Sequence, residues 1–167
     1  MRFTREEAVE RMLTGYSVYY NVERLDEEQK PLTAVCEFFQ RDEKYVISKK
    51  ANVWTTEMEE FLYVIDQEHL TKEDVVRWSE YVWEEGLKKA NVGPGHMCTN
   101  AVAVFVCNTC DAEAAKALKK CRHHKSFQWS LRGWMDLQTV LVEVDTDGIT
   151  SNSMGRNAAA LLKKVLL

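Results

Sequence analysis

Apolar positions recur at helical spacing in four stretches and at strand spacing in most of what separates them. Near the start, Ala8, Val9, Met12 and Leu13 form an apolar stripe of helical period. Thr4 and Glu7 give a capping-box signature ahead of it and Gly15 supplies a stop, so a helix is predicted over 4–14. Residues 16–31 mix aromatics with acids and read as an extended connector with a short strand at 19–22. Residues 32–39 and 44–54 read as strands joined by a hairpin at the polar 40–43. A polar turn over 55–59 and a third strand at 61–65 complete an antiparallel meander.

Thr71 heads the next helix, predicted over 71–89, with Val75, Trp78, Val82 and Leu87 on its apolar side. Its aromatics Trp78, Tyr81 and Trp83 belong to core or interface at this spacing. After the Gly93-Pro94-Gly95 loop, residues 101–106 are apolar at every position, the pattern of a central strand buried on both faces. An alanine-rich helix follows over 111–121, then strands over 125–131 and 137–144 with a bend at Arg132 and Gly133. Asp147 and Gly148 mark a turn, 150–155 a polar loop, and 156–166 an amphipathic last helix. The order α-β-β-β-α-β-α-β-β-α is that of an α+β fold: a mixed sheet with an N-terminal antiparallel meander and helices packed on it. One domain is expected over 1–167.

Composition narrows the class. With 46% hydrophobic and 29% charged residues over 167 positions, the chain can bury a core of its own and is not a disordered one. No apolar run approaches the ~18 residues of a membrane span, and 1–12 lacks the apolar core of a secretory signal. Five cysteines without an export signal read as reduced thiols, so a cytoplasmic location is expected. Charge is uneven: residues 1–98 carry a net −7 and residues 99–167 a net +3. That polarity would steer an anionic ligand to the second half or pair two copies head to tail. A nucleic-acid partner is not expected from an acidic chain without a binding motif.

The stretch 91–125 concentrates the candidate chemistry, with four of the five cysteines and three of the four histidines. His96, Cys98, Cys107, Cys110, Cys121, His123 and His124 are zinc-ligand types. However, a strand and a helix between them spread the groups over distances far beyond the ~2.3 Å radius of a zinc shell, so no metal and no cofactor are expected. Cys107-Asn-Thr-Cys110 falls where a strand meets a helix, a placement seen in thioredoxin-like redox proteins. Asp111 beside the thiols and the absence of a later proline oppose that reading, which stays an alternative. A further alternative is a metal-dependent hydrolase. The element order is shared with restriction-endonuclease-like folds, whose acid and acid-x-lysine pattern is approached by Asp42-Glu43-Lys44, with Glu37, Glu59 and Glu60 as the other acids.

The preferred ligand reading is an anion pocket. Asn152, Ser153, Gly155 and Arg156 open the last helix, where free N–H groups favour negative charge. The basic run around His123 and His124 adds positive potential, and His96 stands beside a strand start where a histidine can move a proton. His96, His123, His124, Asn152 and Arg156 are therefore the candidate ligand-binding residues for a small anion, and they meet if the loop before the central strand and the last helix share one end of the sheet.

One ordered set of short motifs carries a resemblance: Glu43-Lys44-Tyr45 with Ser48-Lys49-Lys50, His96-Met97-x-Thr99, Lys125-Ser126-Phe127, Gly133-Trp134 and Asn152-x-x-Gly155-Arg156. Together they resemble a family of small uncharacterised proteins from anaerobic bacteria across nearly the whole chain. The resemblance implies a single cytosolic domain and transfers no activity. The expectation is a ligand-binding or protein-interaction module that forms a homo-oligomer, its exposed aromatics and amphipathic last helix supplying the contact surface.

Overall fold

The computed structural model describes residues 3–44, 54–129 and 131–167. Among these residues, seven strands form one mixed sheet and four α-helices accompany it: α1 (Arg5–Tyr16), β1 (Asn21–Arg24), β2 (Leu32–Lys44), β3 (Trp54–Leu70), α2 (Lys72–Lys89), β4 (His96–Cys110), α3 (Ala112–Lys120), β5 (His124–Ser126), β6 (Trp134–Glu143), β7 (Gly148–Ser151) and α4 (Arg156–Leu166). The fold is α+β, with β1, β2 and β3 as the N-terminal antiparallel meander.

Strand order is β1-β2-β3-β4-β6-β5, with β7 also on β6. Parallel pairing of β3 with β4 and of β4 with β6 requires crossovers, and α2 and α3 supply them. The uniformly apolar 101–106 segment sits in β4 at the centre, no residue of it more than 1% exposed. On one face α1 and α4 bring Met12, Leu13, Tyr16 and Leu162 against Leu62, Val102 and Val104. On the other, α2 and α3 bring Val82 and Leu118 against Tyr63, Phe105, Met135 and Leu137. Gly86 lets α2 lie close, because a Cβ there would stand 2.4 Å from Met135 Cε and 2.9 Å from Ala101 Cβ.

Several boundaries differ from the sequence reading, for identifiable reasons. The predicted turn at 55–59 and strand at 61–65 are both part of β3, whose polar first third pairs with β2 from Trp54 onward. Of the strand predicted over 44–54, residues 45–53 lie outside the described residues. The connector strand falls at 21–24 instead of 19–22. The strand predicted over 125–131 is only His124–Ser126, since the Arg132 amide returns to the Phe127 carbonyl. Residues 148–151, read as turn and loop, form β7.

β5 and β7 lie end to end along the same edge of β6, pairing with 134–136 and 140–143 respectively. Leu137 and Thr139 fall in the gap between them. The Asn152 side chain fills it: Nδ2 donates to the Leu137 and Cys121 carbonyls, and Oδ1 accepts from the Thr139 and Gly155 amides. One side-chain amide thus stands in for a strand residue, and all of its hydrogen-bonding capacity of this kind is used.

Candidate functional site

The candidate site lies on the mixed sheet. At its lower end, where β4 and β6 begin, both faces carry polar side chains brought into line by the strand register. On the α2 face the line is buried. Glu59, Thr99 and His96 are 4%, 0% and 5% exposed. Thr99 Oγ1 lies 3.0 Å from Glu59 Oε2 and 2.8 Å from His96 Nε2, while His96 Nδ1 lies 2.6 Å from the Arg132 carbonyl oxygen. Glu59 also accepts the Asn91 amide at 3.1 Å. The network therefore ties the ends of two loops, at Asn91 and Arg132, to the starts of the central strands.

On the opposite face, register places Glu60, Asn100, Asp136 and His124 side by side across β3, β4, β6 and β5. Tyr20 Oη donates to Glu60 at 2.7 Å, and Asp136 meets His124 Nδ1 at 2.7 Å. Burial pushes the Glu60 carboxyl above the usual range, against the lowering effect of its Tyr20 and Asn100 hydrogen bonds.

The loop held by His96 is the most unusual local structure. Phe127 N–H donates to the Gly133 carbonyl and Arg132 N–H to the Phe127 carbonyl, closing the base. Arg132 Nε bonds Gln128 across it. Gly133 has φ +75°, and a Cβ there would lie 2.1 Å from the Met97 carbonyl oxygen, so glycine is required. At the tip, Gln128 and Trp129 both have positive φ, 46° and 56°, a conformation that side-chain-bearing residues adopt rarely and at a cost. Trp129 is 96% exposed and Leu131 84%. A braced loop thus holds Trp129 and Leu131 in water.

The five sequence-predicted residues are spread over both faces of the sheet. His96 is buried in the network, and its ring edge packs on Phe127. His123 faces α2, its ring tilted against Trp83 and Nε2 3.2 Å from Glu80. His124 faces the other way, on Asp136. Asn152 is turned inward and fully bonded, so its side chain is engaged within the fold and not at the mouth of a pocket. It also takes the Gly155 amide at the start of α4, one of the groups an anion there would need. Arg156 is exposed. The Trp129 loop escaped sequence reasoning because a tryptophan inside an apparent strand reads as core; the signal was Gly133, which marks a turn.

The other candidates are also placed. Cys107 and Cys110 both lie on β4, which runs to Cys110, so the pair is held in extended strand. Burial pushes the Cys107 thiol up to about 12, and Cys110 also upward, with Glu143 and Asp111 adding to it. Among the described residues, no three His, Cys, Asp or Glu side chains converge as a metal shell would require. The side chains of Asp42, Glu43 and Lys44 lie outside what is described. No described helix is long and apolar enough to cross a membrane.

The chain belongs to the family described as a domain of unknown function, DUF8052, whose model matches residues 4–164. No curated protein and no solved structure matches it.

Proposed function

We propose that the chain is a protein-interaction module that associates with a second copy of itself, head to tail, through the Trp129 loop. The observation that carries this reading is the exposure of Trp129 and Leu131 on a loop braced in a costly conformation. Rigid, exposed aromatics are what interface hot spots are made of, because little conformational freedom is lost on docking.

A receptor of matching chemistry lies on the same chain. A groove of about 380 Å³ between the start of β2 and α2 is lined by Gln29, Leu32, Arg77, Trp78 and Tyr81. Its neighbouring segment 23–28 carries Glu23, Asp26, Glu27 and Glu28, all exposed, against one cation, Arg24, which is paired with Glu10. The segment leading into and through the loop, 119–132, carries five Lys or Arg and no acid. Leu32 is level with Phe105 across the sheet, whereas the loop packs at Met97. Eight residues of strand at ~3.3 Å each separate the two ends by roughly 26 Å. Loop and groove therefore meet only between copies, in a heterologous contact.

Analytical ultracentrifugation over a concentration series tests this. Self-association that weakens with salt is expected, and Trp129→Ala should cost it about 2 kcal/mol with an unchanged melting temperature, as Trp129 buries nothing in the monomer. A strictly monomeric wild type, or association indifferent to both Trp129→Ala and Trp78→Ala, would sink the reading.

A further inference from the structure

Between α2 and the end of α3 lies a second groove, about 220 Å³, with Val75 and Ala117 among its apolar lining and Lys120, Arg122 and His123 at its polar rim. We infer that this groove binds a small organic monocarboxylate, its apolar body against Val75 and Ala117 and its carboxylate between Lys120, Arg122 and His123.

Three features support the assignment. The first is charge: the segment Lys119-Lys120-Cys121-Arg122-His123-His124-Lys125 contains no acid, and neither Lys120 nor Arg122 forms an ion pair among the described residues. Two cations are thus left to meet an anion at the rim. The second is a poorly satisfied donor. Ser79 is 2% exposed, lines the same groove, and its Oγ has no oxygen or nitrogen partner. A helical serine ordinarily bonds back to its own helix; this one has only the weakly accepting Cys121 thiol beside it. A carboxylate oxygen that displaces this thiol contact would give the hydroxyl a stronger acceptor. The third is selectivity. Glu80 stands on the rim with Oε1 3.2 Å from His123 Nε2, which orients the imidazole and sets one negative charge beside the site. That charge penalises a dianion more than a monoanion, so phosphate and dicarboxylates are disfavoured. The Cys121 thiol is pushed up by burial, so the groove is suited to binding and not to thiol chemistry. This inference is independent of the Trp129 contact.

The test is a titration of ¹⁵N-labelled protein with butanoate, with succinate and inorganic phosphate as competitors, on wild type and on monomeric Trp129→Ala. Saturable shifts at Ser79, Ala117 and Cys121 in both proteins are expected, with phosphate and succinate weaker. Arg122→Glu and Lys120→Glu should each reduce affinity at least about fivefold, since both residues are exposed and their replacement leaves the fold intact. Bound butanoate should also slow alkylation of Cys121 but not of Cys110. No saturable shift, equal or tighter binding of phosphate, or affinity unchanged in both charge-reversal variants would overturn the assignment.

Discussion

His96 Nδ1 stands 2.6 Å from the carbonyl oxygen of Arg132. A carbonyl only accepts, so this nitrogen carries a hydrogen, and the ring's other nitrogen sets the character of the network behind it. Thr99 Oγ1 lies 2.8 Å from His96 Nε2 and donates to Glu59, which also accepts the Asn91 amide. The Thr99 hydroxyl is thus the link between ring and carboxylate, and the buried polar groups meet one another instead of water.

Removing the middle member tests this. Thr99→Val keeps the shape but leaves His96 Nε2 without its partner and Glu59 Oε2 with the Asn91 amide alone, at a cost of about 1–3 kcal/mol for an unpaired buried group. Urea melts should show that loss, and amide exchange should quicken over 127–132, since the bond to Arg132 is what the ring delivers. Wild-type exchange in that loop would mean the network does not brace it.

Gly86→Ala sets two effects against each other. Alanine gains roughly 1 kcal/mol of helix propensity over glycine, but its Cβ would stand 2.4 Å from Met135 Cε and 2.9 Å from Ala101 Cβ. Met135 can move; Ala101 on the central strand cannot. Overpacking of this kind costs about 1–3 kcal/mol, so a net loss of stability in chemical denaturation is expected. A stabilised variant would show that α2 shifts freely on the sheet.

Legibility from sequence followed how local each determinant is. The capping boxes at Thr4 and Thr71 fix the starts of α1 and α2 within a few residues, and six consecutive apolar residues identify β4 as central. The polar start of β3 was opaque because Thr55, Thr56, Glu57 and Glu59 read as a turn until a partner strand is known. Glu59 and Thr99 are 40 positions apart and meet only through parallel register, which no local pattern encodes. Asn152 was legible as a polar residue before a helix, but its use as a strand surrogate depends on a gap between β5 and β7 that only the sheet reveals.

That use makes Asn152 sensitive to charge as well as size. Asn152→Ala frees the Leu137 and Cys121 carbonyls and the Thr139 amide, and roughly 2–4 kcal/mol of destabilisation is expected from these unsatisfied groups. Asn152→Asp should be at least as damaging, because a carboxylate cannot donate to the two carbonyls and is repelled by them. Thermal melts that rank Asp above Ala would show that the donor side of the amide is dispensable.

Glu60 gives stability a pH dependence of definite sign. Its carboxyl is raised by burial above the ordinary 4.5, as Asp66 is above 3.8. Between the unfolded and the raised folded value the native state binds more protons, so stability rises as pH falls through that window and is lost again as pH climbs out of it. Asp74 and Glu10 are lowered and act below their ordinary values in the opposite direction, so the two windows are separable. Melting temperatures of Glu60→Gln should therefore show a flatter profile than wild type above pH 4.5. Parallel profiles would mean that Glu60 is hydrated in solution.

Thiol reactivity separates an interaction module from the redox alternative. Cys36 and Cys107 are fully buried and pushed up to about 12, Cys98 is buried and also raised, and Cys110 and Cys121 are partly exposed with raised values. A thiolate is the reacting species, so native protein at neutral pH should react slowly, at Cys110 and Cys121 only, with all five thiols reacting after unfolding. Three positions apart along an extended strand, Cys107 and Cys110 span ~10 Å, well beyond the ~7 Å limit for Cα atoms joined by a disulfide. Mild oxidation should therefore leave both reduced, as mass spectrometry of differentially alkylated protein would show. A reversible Cys107–Cys110 disulfide would require the end of β4 to unwind, and would return the thiol chemistry to first place.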